Sequence, residues 1–289
     1  MSEFDANLKQ DYIVSNDIRL HYVTRGEGEL VLLLHGFPEF WYSWRHQIPE
    51  LAKQYKVVAL DLRGYNESEK PPEVEAYSVE ELVKDVAGVI RGLGYQKCIL
   101  VGHDWGGLIT WQFAYDYPDM VEKIVVLNVP HPALFTRAFN NNPRQILRSW
   151  YAFLFQIPLL PELLFQANNY QLVADAFTRT ATNETAFTRQ DLKAYQEAAK
   201  KSGALTAMIN YYRCNFSDLF YSKTWTILEL PTMLIWGEND TALGKELTYD
   251  TPEFVRDLQL HYIANSGHWV QQEQPEPVNR YLREFLNID

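Results

Sequence analysis

Five short apolar runs, at 30–34, 57–60, 98–101, 124–129 and 232–236, punctuate the chain without the polar alternation of a one-sided sheet. Runs of this kind suit strands buried on both faces, and such strands belong to mainly parallel sheets. Two further segments, 19–23 and 258–263, do alternate and predict an early antiparallel or edge strand and a last strand. Helical patterns fill the gaps. Ser78 followed by Glu81 is the signature of a capping box; Leu82, Val86, Val89 and Ile90 follow at helical spacing, and Gly92 and Gly94 supply the stop. Residues 105–115 read as a buried helix and 275–286 as a closing amphipathic one. Strands alternating with helices predict a doubly wound α/β sheet.

The alternation fails between about His131 and Tyr221. There the pattern is helical throughout, at 145–155, 160–166, 171–177, 188–200 and 204–211, with a break at the Asn140–Pro143 cluster. At 289 residues the chain is long for one compact core. The expected organisation is a sheet core, 1–130 and 222–289, carrying an inserted helical cap at 131–221. Aromatic residues make up 14% of the chain, and many fall in that segment, where they would line an apolar pocket or simply pack.

A formal net charge of -11 argues against nucleic acid or an anionic membrane as the main partner. The two cysteines, Cys98 and Cys214, lie in no metal or redox spacing and cannot form a disulfide framework. The start, MSEFDANLKQ, lacks an apolar signal core, and no run approaches a membrane span. These features predict a cytoplasmic protein without membrane insertion; monomer and homodimer stay equally open.

The chemistry is concentrated at Val101-Gly102-His103-Asp104-Trp105-Gly106-Gly107, directly after an apolar strand and before a helical pattern. The spacing Gly102-x-Asp104-x-Gly106 is that of a nucleophile elbow, where glycines permit a tight strand-to-helix turn that lifts the middle side chain. Serine usually stands there. A carboxylate is a poor nucleophile toward amides, but it can displace a leaving group from an sp3 carbon and form an alkyl ester that water must hydrolyse. Epoxides and alkyl halides suit such a nucleophile. The plain alternative is that Asp104 merely caps the helix that follows it.

A base and an orienting acid should follow in chain order. His268 lies in Ser266-Gly267-His268-Trp269, after the last strand, and Asp240 in Gly237-Glu238-Asn239-Asp240, just past the run at 232–236. Both fall where the carboxyl ends of strands should be. His268 would activate water, and Asp240 would fix its tautomer and stabilise the imidazolium. Taken singly, the first is an ordinary histidine and the second a turn former. The backbone N–H groups of Phe37, in His35-Gly36-Phe37-Pro38, and of Trp105 would make an oxyanion hole, unless the former stretch is only a strand-ending turn.

His35-Gly36-Phe37-Pro38-Glu39 with Trp41-Tyr42-Ser43-Trp44-Arg45, Asp61-Leu62-Arg63-Gly64-Tyr65 and Gly102-His103-Asp104-Trp105-Gly106-Gly107 together resemble the soluble epoxide hydrolases. The likeness covers nearly the whole chain, more tightly in the core than in the cap. It implies the α/β-hydrolase fold, a mostly parallel eight-stranded sheet flanked by helices with an inserted helical cap. It also implies a cis peptide at Phe37–Pro38, an apolar epoxide as substrate, and no cofactor or metal. Asn66 stands where the family often has glycine.

The resemblance further implies two cap tyrosines that donate to the epoxide oxygen, matched by Tyr151 and by Tyr212, with Tyr211 one register away. A phenol with a pKa near about 10 stays protonated and can donate to an alkoxide. His35, Pro38 and Phe155 are expected along the pocket. The rival reading is a haloalkane or fluoroacetate-type dehalogenase with the same Asp104, Asp240 and His268. Against it, Trp105 and Leu108 stand where fluoroacetate dehalogenases usually carry arginines, and Tyr151 where they tend to carry tryptophan. Asp104 argues against an esterase or lipase, and the retained triad against a non-catalytic receptor.

Overall fold

The structure, a computed structural model, describes residues 8–221 and 223–288. Eight strands form one sheet: β1 (Lys9–Ser15), β2 (Ile18–Arg25), β3 (Leu30–Leu34), β4 (Lys56–Leu60), β5 (Cys98–His103), β6 (Val121–Leu127), β7 (Thr232–Gly237) and β8 (Leu258–Ile263). Their order across the sheet is β1-β2-β4-β3-β5-β6-β7-β8. β2 pairs antiparallel with both β1 and β4, and every pairing from β4 onward is parallel. The fold class is therefore the one expected.

Burial explains the strand sequences. All of β3, β5 and β7 is buried, so no polar alternation survives in them. Each Leu, Ile or Val fully removed from water there contributes roughly 1.5–3 kcal/mol. β1 lacks an apolar run because it is an exposed edge, with five of its seven residues, Lys9 to Tyr12 and Val14, facing solvent. β6 ends at Leu127, two residues before its apolar run does, because Asn128 turns the chain with φ 48°.

Helices flank the sheet. Ser78 caps Val79–Gly92 by accepting from the Glu81 N–H at 3.3 Å. Only half of the anticipated capping box forms, because the Glu81 carboxylate turns to Lys84 and Asn16 instead. Between β6 and β7 the chain runs through Pro132–Asn141, Pro143–Arg148, Trp150–Leu154, Leu160–Thr178, Arg189–Lys200 and Ala204–Cys214. The helix expected at 145–155 is broken at Ser149. Leu160–Thr178 carries non-helical angles from Ala167 to Tyr170, which is why its sequence read as two helices. Among the described residues no helix is long and apolar enough to cross a membrane.

Parallel pairing brings the carboxyl ends of five strands to one edge of the sheet. β3 delivers His35 to Pro38 there, β5 delivers Asp104, β6 Asn128, β7 Asp240 and β8 His268. This is the edge at which open α/β sheets hold ligands.

Candidate active site

Asp104 occupies a turn that few residues tolerate, with φ 50° and ψ -120°. Its side chain makes no capping hydrogen bond to the helix Trp105–Asp116, so the helix-cap reading fails. Close backbone packing fixes the turn. A Cβ on Gly106 would lie 2.2 Å from the Leu34 carbonyl oxygen, and one on Gly36 would lie 2.4 Å from the Asp104 Cβ. Only glycine lets the elbow and the His35–Pro38 turn meet. That turn holds the expected cis peptide between Phe37 and Pro38.

The structure brings Asp104, His268 and Asp240 together. His268 Nδ1 lies 2.7 Å from Asp240 Oδ2, and His268 Nε2 lies 3.5 Å from Asp104 Oδ2. The Phe37 N–H donates to Asp104 Oδ1 at 2.7 Å. Of the two oxyanion donors expected, it is the one bonded to the carboxylate. Asp104 thus presents one oxygen to a backbone amide and the other toward the imidazole.

Burial and charge oppose each other at all three groups. Burial would raise the Asp104 pKa, but the hydrogen bond and charge of His268, helped by His103 and the Phe37 amide, hold it below the ordinary carboxylate value. Burial would also raise Asp240. There the charge and hydrogen bond of His268, with the Leu243 amide and Asn128, prevail and lower it. For His268 burial acts downward, yet Asp240 foremost and then Asp104 lift its pKa well above the usual histidine value. Asp240 and Asp104 thus both favour the charged form of His268.

Two phenols stand over Asp104. Tyr151 and Tyr212 line the same cavity as Asp104 and Trp105, and their rings meet edge to face at 5.9 Å. Burial, then the charge of Asp104, pushes both phenol pKa values up, so both keep their protons. Tyr211 faces the other way. It is fully buried against Tyr65 and Tyr77, and its hydroxyl donates to the Arg63 carbonyl at 2.6 Å. The cavity holds about 160 Å³, room for a group the size of one aromatic ring. Leu108, Phe135, Phe139 and Trp225 give it apolar walls.

Three residues expected along the pocket do not line it. His35 is fully buried, its Nδ1–H donating to the Gly36 carbonyl while Nε2 accepts from the Leu62 N–H. Pro38 is buried in the turn. Phe155 packs behind the tyrosines, 4.9 Å from the Tyr212 ring and 5.4 Å from that of Phe37. Asn66 is structural: at φ 41° its amide donates to Asp61 Oδ2.

Other contributors escape a motif reading. Asn128 is fully buried; its amide donates to Asp240 Oδ2 at 2.7 Å while its oxygen accepts from the Gly237 N–H. The Ala242 and Leu243 N–H groups hold the other Asp240 oxygen. The available signal was position, since Asn128 ends a parallel strand at the same edge as the triad. Glu39 and His103 lie within the His35–Glu39 and Gly102–Gly107 stretches. Glu39 accepts from the Gly36 N–H, its Oε2 lies 2.8 Å from His103 Nδ1, and His103 Nε2 lies 2.8 Å from the His268 carbonyl oxygen. That chain couples the His35–Pro38 turn, the elbow and the loop that carries His268.

The alpha/beta hydrolase fold family matches residues 29–275. Epoxide hydrolase 4 of Mus musculus is 42% identical over 281 residues, which span 95% of this chain and 78% of that protein. The AB hydrolase superfamily protein YfhM of Bacillus subtilis (strain 168) is 36% identical, with 96% and 98% covered. The crystal structure of an epoxide hydrolase from Bacillus megaterium in complex with an inhibitor superposes with a TM-score of 0.89 at 38% identity, covering 96% of this chain and all of that one. An aspartate at the elbow, a histidine–aspartate pair beside it and two protonated phenols above it agree with these likenesses: the chain belongs to the epoxide hydrolases of the α/β-hydrolase fold.

Proposed function

We propose that this enzyme opens apolar epoxides to vicinal diols through a covalent ester on Asp104, with residues 131–221 acting as a cap over the core formed by 1–130 and 222–289. One observation carries the reading: an ionised carboxylate 3.5 Å from a histidine, in a cavity it shares with two phenols that keep their protons. Asp104 Oδ2 attacks one ring carbon and the carbon–oxygen bond breaks, with Tyr151 and Tyr212 donating to the departing oxygen. Ester formation removes the negative charge of Asp104, one of the two that favour the charged imidazole, so the His268 pKa falls and its proton passes to the phenolate left when a tyrosine protonates the ring oxygen. His268, oriented by Asp240, then takes a proton from water, which attacks the ester carbonyl. The Phe37 and Trp105 amides receive the oxyanion. Its collapse breaks the bond between the carbonyl carbon and the diol oxygen, which takes the remaining proton of the added water. The diol leaves, the Asp104 carboxylate is restored and His268 keeps the first proton. No metal or organic cofactor enters any step. A reducing, cytoplasmic setting is part of this reading and agrees with Cys98 and Cys214 being free thiols.

A single turnover in isotopically heavy water tests the covalent step. The new hydroxyl of the first diol should carry an unlabelled oxygen from Asp104, with the label entering the carboxylate instead. Immediate full labelling of the diol would rule the ester out. Assays on aryl and alkyl epoxides beside fluoroacetate and haloalkanes, reading diol and free halide, separate this activity from a dehalogenase.

The electrostatics also set a pH dependence. Asp104, held below the ordinary carboxylate range, keeps its nucleophilic form into mild acid. Hydrolysis needs neutral His268 and is lost as pH falls through the pKa that His268 has in the ester. Ester should therefore build up on the acid side, seen by intact mass after acid quench; a trapped fraction that rises with pH instead would contradict the assignment of His268 as the base.

A further inference from the structure

The loop that carries His268 is gripped from both sides by one carboxylate. Glu273 is buried, and its two oxygens accept from the Gly267 N–H at 3.0 and 3.1 Å. Oε1 also accepts from the Trp269 N–H at 3.2 Å. These are the residues immediately before and after the histidine. Oε2 of the same carboxylate accepts from the Thr182 N–H at 2.7 Å and the Asn183 N–H at 3.1 Å, both in the helical segment between β6 and β7. No cation pairs with Glu273 among the described residues. Four backbone donors, two from each side of the junction, satisfy it.

Independent contacts bind the same two stretches. The Trp269 indole N–H donates to Thr180 Oγ1 at 2.8 Å, and the Trp269 ring packs 4.5 Å from that of Phe177. The Asn183 amide donates to the Glu273 carbonyl at 3.2 Å. The backbones approach so closely that a Cβ on Gly267 would lie 2.6 Å from the Thr180 carbonyl oxygen. Hydrogen bonds to an ionised acceptor are among the strong ones. A carboxylate shared by two segments makes the position of each depend on the other.

We propose that Glu273 is a positioning residue for the hydrolytic half of the reaction, tying the His268 loop to residues 180–183 so that the base is aligned only while that segment is docked. This rests on His268 acting as base on an Asp104 ester. Attack by Asp104 on the epoxide uses the elbow and the phenols, none of which Glu273 touches. The step that needs the imidazole aimed at water depends on the loop. Small misplacements of a catalytic group, imposed from outside the reacting atoms, slow a step by about 10²-fold.

Glu273→Gln is the test. The amide turns an NH2 group toward backbone donors and loses part of the grip at similar volume. Rapid-quench mass spectrometry should show ester formation unchanged within about threefold, and ester hydrolysis slowed about 10–100-fold. Ester then becomes the main steady-state species, and kcat and KM fall together while kcat/KM holds. Thr180→Val leaves Glu273 in place and removes the acceptor of the Trp269 indole, together with the hydroxyl's own donation to the Ala176 carbonyl. It should slow hydrolysis by about two- to fivefold, and it decides the matter if the first variant does not fold. Equal slowing of both half-reactions, or no change in their ratio in either variant, would overturn the proposal. Absence of any Asp104 adduct, in His268→Gln as well, would instead sink the ester itself and the clamp with it.

Discussion

Replacing His268 by glutamine is expected to leave an enzyme that completes one chemical step and stops. Glutamine keeps a polar group of similar reach but cannot take a proton from water. General base catalysis contributes about 10²–10⁴-fold, or about 3–5 kcal/mol of barrier. That is the expected fall in steady-state turnover. The first step should survive, because Asp104 attacks unaided and the phenols supply the proton donors. Loss of the imidazolium removes the charge that lowers the Asp104 pKa, so attack should weaken toward acid pH. Mass spectrometry after mixing with excess epoxide should show one substrate equivalent retained on the peptide that contains Asp104. A variant that turns over at the parental rate would remove His268 from the second step, and inactive protein with no adduct would count against the ester itself.

The second large effect is expected at the other end of the substrate. Tyr151→Phe deletes one donor to the departing oxygen without changing ring volume, and Tyr212→Phe deletes its partner. A donor aimed at developing negative charge is worth about 10²–10³-fold. Each single variant should lose about that much in the rate of ester formation, and the double variant about 10⁴-fold or more. Ester hydrolysis should be little affected, so these variants and His268→Gln fail at opposite steps. The arrangement of the rings predicts unequal singles. Tyr212 is wedged among Trp105, Phe37 and Phe155, whereas Tyr151 contacts Trp150, Phe155 and Tyr212. Single-turnover rapid quench measures both steps, and a double variant that forms ester at the parental rate would discard the phenol assignment.

Much of this site was legible because its chemistry depends on local spacing. The glycines around Asp104 announce a turn that only close backbone packing demands, and that turn stands between an unalternating strand and a helix. Order along the chain then pointed to Asp240 and His268, since strands pairing in parallel present their ends at one edge. The remainder depended on facts that spacing does not contain. Tyr211 and Tyr212 are neighbours on a helix and point about 100° apart; choosing between them requires knowing that Arg63 receives one hydroxyl. Asn128, Glu39 and Glu273 act on groups far away in the chain, with sequence separations of 112 from Asn128 to Asp240 and 91 from Thr182 to Glu273. Each residue type is common in turns or on helix surfaces, so nothing local marks it. The pocket walls failed for a related reason. His35, Pro38 and Phe155 are near the site in sequence pattern but are turned into the interior by packing.

The absence of clearance around the elbow bears on how such a catalyst can change over generations. Gly106 lies against the Leu34 backbone and Gly36 against Asp104 where a single methyl group would collide, so a substitution that shifted the turn by an ångström would have to move two strand ends at once, those of β3 and β5. Incremental mutation has no cheap path through such a move. New substrate preferences in descendants of this chain are therefore expected to arise by resculpting residues such as Phe135, Phe139 and Trp225, while the attacking oxygen stays anchored at one point in space.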